Sequence, residues 1–87
     1  MFRILITPAM FDTRDTAHEA QGLAMREASI LARSVGQPVE CRVYRMGAPE
    51  RDTFGRDVSP AFYLGRAVGT PAGVEWQEGI AKRRAAA

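Results

Sequence analysis

The feature that most constrains this chain is one long amphipathic stretch, Ala17 to Val35, whose apolar face is mostly alanine. At 100° per residue, Ala17, Ala20, Ala24, Ala28, Leu31 and Val35 fall on a single stripe. Side chains that small let a helix axis lie close to a sheet, so the stripe is the expected buried face. Leu23 and Ile30 form one shoulder of it, Met25 and Ala32 the other, and Arg26, Ser29 and Arg33 lie opposite, toward water. Gly36 just past the end and Pro38 beyond it are the expected stop signals. The start reads as a capping box, Thr16-x-x-Glu19. The threonine oxygen takes an N–H of the first turn and the glutamate reaches back to the N-cap N–H.

The flanking segments read as strands. Phe2 to Thr7 alternates, with Phe2, Ile4 and Ile6 on one face and Arg3, Leu5 and Thr7 on the other, and Pro8 ends it. Pro38 to Met46 is a second strand, with Val39, Cys41 and Val43 toward the helix and Glu40, Arg42 and Tyr44 away. Strand, helix and strand in this order predict a right-handed crossover between parallel neighbours. Residues 47–59 hold two glycines, a proline and five charges and read as a loop of about a dozen residues, long enough to carry function. Residues 59–71 have helix-type boundaries in Ser59, Pro60, Gly69 and Pro71, yet Phe62, Leu64 and Val68 alternate as in a strand. Val74–Gln77 alternates too, which favours a hairpin through "GTPAG". The expected fold is α+β: a small β-α-β-β(-β) sandwich, one long Ala-rich helix packed on a three- or four-stranded sheet. Residues 1–87 form one domain, with 82–87 a fraying tail.

Composition narrows the function classes. A domain of 87 residues buries only roughly 60–65% of its unfolded surface, leaving little room for both a full core and a deep pocket. The net charge of +2 argues against an acidic DNA mimic and does not demand nucleic acid. Eleven arginines stand against one lysine, Lys82, a bias that a GC-rich genome accounts for. Cys41 is the only cysteine, so no internal disulfide or Cys-based zinc site can form, and it reads as a small core residue. No apolar run reaches membrane length, and a cytoplasmic protein without a cofactor or metal is the expectation.

Three places compete as sites. The stretch "TPAMFDTRDTAHEA" holds the only histidine, His18, with Asp12, Asp15 and Glu19 close by. The capping box and the helix dipole account for Asp15 and Glu19 without chemistry, and no second His or Cys stands at ligand spacing, so no catalytic residue is assigned. The outer sheet face carries Arg3, Leu5, Arg42 and Tyr44; with Arg45 and the tail cations Lys82, Arg83 and Arg84 it makes a nucleic-acid surface the alternative expectation. The third place is the 47–59 loop, where Phe54 stands among Glu50, Arg51, Asp52, Arg56 and Asp57. Aromatics and arginines dominate interface hot spots, so Arg51, Phe54 and Arg56, then Tyr44 and Trp76, are the expected partner-binding residues.

The run "DTAHEAQGLAMREASILARSVGQPVECRVYRM", preceded by "FRILIT", resembles a layout common in small α+β proteins of phages and mobile elements. There an Ala-rich helix ends in G-x-P and runs straight into an alternating strand. Some such proteins are anti-CRISPR inhibitors, which act by binding Cas proteins. The resemblance covers residues 2–46 and is one of layout without a signature motif, so no functional residue carries across. It implies a non-catalytic inhibitor or adaptor that occludes the surface of a protein partner, a host Cas protein or complex, in the host cytoplasm. The Leu23/Ile30 shoulder and an uncovered sheet face would also permit a homodimer.

Overall fold

The computed structural model describes residues 1–79. The chain runs β1 (Phe2–Thr7), β2 (Met10–Arg14), α1 (Ala17–Val35), β3 (Val39–Met46), β4 (Glu50–Arg51), β5 (Asp57–Val58), β6 (Ala61–Thr70) and β7 (Gly73–Glu78). Five strands form one sheet in the order β2-β1-β3-β6-β7, and β4 and β5 pair only with each other. The fold is α+β, with the one helix packed on one face of the sheet.

The helix begins and ends where its capping chemistry places it. Thr16 is the N-cap in extended conformation, and its hydroxyl oxygen accepts from the Glu19 N–H at 3.1 Å. The Glu19 carboxylate receives the threonine hydroxyl itself at 2.9 Å, rather than the N-cap N–H expected of a full capping box. Gly36 ends the helix in the left-handed region at φ 70°, donating to the Ala32 carbonyl.

Ala20, Leu23, Ala24 and Ala28 are buried and meet Ile4, Ile6, Cys41, Val43 and Ala67 from the sheet, and Ala32 is buried as well. The alanine stripe brings helix and sheet so near that a Cβ on Gly69 would overlap the Ala28 carbonyl. Gly65 is constrained the same way by the Trp76 ring, which lies over it. The helix therefore needs small residues on both sides of the contact. The Leu23/Ile30 shoulder does not survive as a surface, because Leu23 is buried and only Ile30 remains exposed.

Two expectations are corrected. β1 and β3 are antiparallel neighbours, with Ile4 opposite Val43 and Leu5 opposite Arg42. The reason is β2: the chain reverses at Pro8–Ala9 and pairs back along β1 before the helix starts. Helix α1 then runs back along the sheet and β3 returns antiparallel to β1; the crossover through α1 instead joins β2 to β3, which are parallel to each other with β1 between them. β2 also raises the sheet to five strands. The segment 61–78 is the favoured hairpin, with Thr70 opposite Gly73. Its alternation is interrupted between Val43 and Tyr44 of the partner strand, where the register passes from Gly65 to Tyr63 and leaves Leu64 as a bulge.

Candidate partner-binding site

The segment expected to be a bare loop is a small hairpin with a built tip. Asp52 and Arg56 close it through the Asp52 N–H and the Arg56 carbonyl at 2.8 Å, and the Gly55 N–H donates to the Asp52 carbonyl at 3.0 Å. Gly55 sits at φ 81°, the left-handed residue that three-residue hairpin loops require. The Asp52 carboxylate fills the inside of the turn: one oxygen accepts the N–H groups of Phe54 (2.9 Å) and Arg56 (2.8 Å), and the other accepts Arg56 Nε at 3.2 Å. The signal for this turn was present in the sequence, since Asp52-Thr53-Phe54-Gly55 puts Asp and Gly at the first and fourth positions of a β-turn.

The result is a finger holding an aromatic ring in water. Phe54 is 82% exposed, the most exposed large apolar side chain of the described residues. The Arg56 guanidinium lies 5.5 Å from its ring centroid. Arg51 and Asp57 are paired only distantly, at 4.0 Å, and both are solvated. Arg51, Phe54 and Arg56 are thus brought together on the hairpin.

The other two expected contact residues lie elsewhere. Tyr44 is on the outer sheet face, its ring centroid 5.7 Å from that of Tyr63 at an interplanar angle of 53°. Trp76 is on the helix side, half-buried against the core and over Gly65. It fills space left by a glycine.

No described element covers the outer face of the five-stranded sheet. Register places Arg3 beside Thr13 and Tyr44, Leu5 beside Phe11 and Arg42, and Arg42 beside Arg66. Glu40 is the hub: its carboxylate accepts Arg42 Nε and Arg66 Nη1, and Arg66 Nε donates to Gln77 at 2.9 Å. The hydrogen bond from Arg42, with the charges of Arg42 and Arg66 beside it, holds the Glu40 carboxyl below the usual glutamate range. Arg45 is on the opposite face from Arg3 and Arg42, opposite Phe2, and stacks over Phe62 at 4.5 Å. The arginines proposed for a nucleic-acid surface are therefore not a single patch. Lys82, Arg83 and Arg84 lie outside the described residues.

The acidic residues around His18 have local explanations. Asp12 accepts the Thr13 N–H at 2.7 Å and pairs with Arg14 at 3.0 Å; the backbone bond first, then the arginine, lower its pKa. Thr16 and Glu19 cap the helix. His18 is exposed and lines an open surface groove with Arg14, Glu19, Gly22, Leu23 and Arg26, with no nucleophile beside it. Cys41 is fully buried, and burial pushes its thiol up to about 11, leaving it an inert core residue. Among the described residues, no group of three His, Cys, Asp or Glu converges as a metal site, and no helix is long and apolar enough to cross a membrane. Comparison with family models, with curated proteins and with solved structures finds no match.

Proposed function

We propose that the chain is a non-catalytic protein-binding domain that presents Phe54 to a partner and acts by covering part of the partner's surface. One observation carries this reading: an aromatic ring 82% exposed on a turn that is fully hydrogen-bonded without it. A phenylalanine this exposed gains little for folding, and it is an ordinary hot-spot anchor when it enters a pocket. The Asp52 network fixes the turn before binding, so little ordering entropy is lost on association. Arg51 and Arg56 flank the ring and supply donors for polar groups at the rim of such a pocket.

The narrower form of the proposal makes the partner a host Cas protein and the chain an anti-CRISPR-like inhibitor. That form rests on the layout of residues 2–46 alone. The nucleic-acid reading is weaker, because Arg42 and Arg66 share the Glu40 carboxylate, which offsets one of their two charges, and because Arg45 faces the other way.

The test is the variant Phe54→Ala in the full chain, immobilised beside the wild type in host lysate, with retained proteins identified by mass. The expected result is a species held by the wild type and lost by the variant, with equal melting temperatures. Retention that ignores Phe54, or a sharp drop in melting temperature, overturns the reading. For the narrower form, the wild type suppresses target cleavage by the purified host effector and the variant does not.

A further inference from the structure

The outer sheet face has a second, separate recognition feature centred on Arg3. We propose that Arg3 is a receptor for a carboxylate, and that the face around it docks an acidic segment of a protein. The argument begins with charge. Arg3, Arg42 and Arg66 share the face with only Glu40 and Glu75. Glu40 is committed to Arg42 and Arg66, and Glu75 lies at the far side of the sheet, accepting from Gln77 at 3.0 Å. Arg3 has no carboxylate partner among the described residues.

The side chain is also fixed in place. Its guanidinium lies 4.6 Å from the Phe11 ring centroid, and register puts Thr13 on one side of it and Tyr44 on the other. Its Nε is enclosed and has no acceptor. A stacked guanidinium with its Nε closed off offers its two terminal nitrogens, an end-on fork matched to one carboxylate. The charge is left for a partner to compensate, and the plane is set in advance.

A protein carboxylate fits better than a nucleic-acid strand. A phosphate backbone needs a run of free cations, and the neighbouring Arg42 and Arg66 share the Glu40 carboxylate, which offsets one of their two charges. Base stacking needs open ring faces. One face of Phe11 is occupied by Arg3, and Tyr44 and Tyr63 pack on each other at a tilt.

The experiment measures fluorescence anisotropy of the full chain with a labelled oligoglutamate peptide and with a labelled oligothymidylate of matched charge, at low salt. The peptide is expected to bind, and Arg3→Gln to weaken it about tenfold. Arg3→Lys, which keeps the charge and the fold but not the fork, is expected to lose most of the same binding. Arg33→Gln, on the exposed side of the helix, and Phe54→Ala are expected to leave it unchanged, which separates this site from the hairpin. Equal losses for Arg3→Gln and Arg33→Gln overturn the proposal, as does wild-type binding by Arg3→Lys. Arg3-dependent binding of oligothymidylate tighter than of the peptide reassigns the face to nucleic acid. Sedimentation showing a dimer that Arg3→Gln dissociates reassigns it to a second copy of the chain.

Discussion

Thr16 does two jobs with one hydroxyl: its oxygen takes the Glu19 N–H, and its proton goes to the Glu19 carboxylate. Thr16→Ala removes both and leaves a first-turn N–H without its cap. The expected cost is about 1 kcal/mol, read as a fall of about 4–8 °C in melting temperature for a domain of this size. Phe54→Ala in the same assay is expected to leave the melting temperature nearly unchanged, since that ring is 82% exposed and has only the solvated Arg56 guanidinium over it. At this scale the sequence was most legible where partners are close in the chain. Thr16 and Glu19, three residues apart, announce themselves. Asp52, Phe54 and Gly55 do too, but the charges around them hid the turn. Glu40 could be read only as an outward-facing residue, because Arg66, 26 positions on, reaches it only after β3 and β6 pair.

Among the elements, the helix and β6 are matched through their smallest residues. Gly69 faces the Ala28 backbone with no space for a methyl group. Gly69→Ala must lift the helix from the sheet or bend β6, and is expected to cost about 3 kcal/mol, measured by urea denaturation. Gly73→Ala, where a Cβ meets open space, serves as the comparison and should change stability little. The alanine stripe foretold this close approach, and caps at both ends made α1 readable to the residue. β2 escaped because "MFDTR" does not alternate and because an edge strand with one neighbour is under little pressure to do so. Missing it reversed the inferred direction of β3. The bulge at Leu64 blurred β6 in the same way, shifting alternation by one residue midway along the strand.

As a whole molecule the protein is thin, 46 × 34 × 21 Å, with one helix on one side of its sheet and a solvated polar network on the other. That network makes stability depend on acid. The Glu40 carboxyl is held below its ordinary value of 4.5 by Arg42 first and by Arg66, so the unfolded chain takes up its proton more readily. Its contribution is complete above that ordinary value and is lost as pH falls through the lower folded value. Glu40→Gln is therefore expected to lower stability by about 1 kcal/mol near neutrality and to differ progressively less from the wild type below about pH 4. Melting curves across that range test the sign. A gap that widens on acidification contradicts it.

The β4–β5 hairpin hydrogen-bonds within itself and joins no other strand; the Gly47 N–H to Pro60 carbonyl bond marks its base. Its sequence is thus uncoupled from the terms that hold the body together, provided Asp52 and Gly55 persist. Under selection, residues 50–58 are free to drift at rates the helix–sheet contact could never tolerate. On the proposed reading of Phe54 as an anchor, a lineage of such chains would exchange one target for another through a few substitutions at the tip, while the body that carries it stays nearly unchanged.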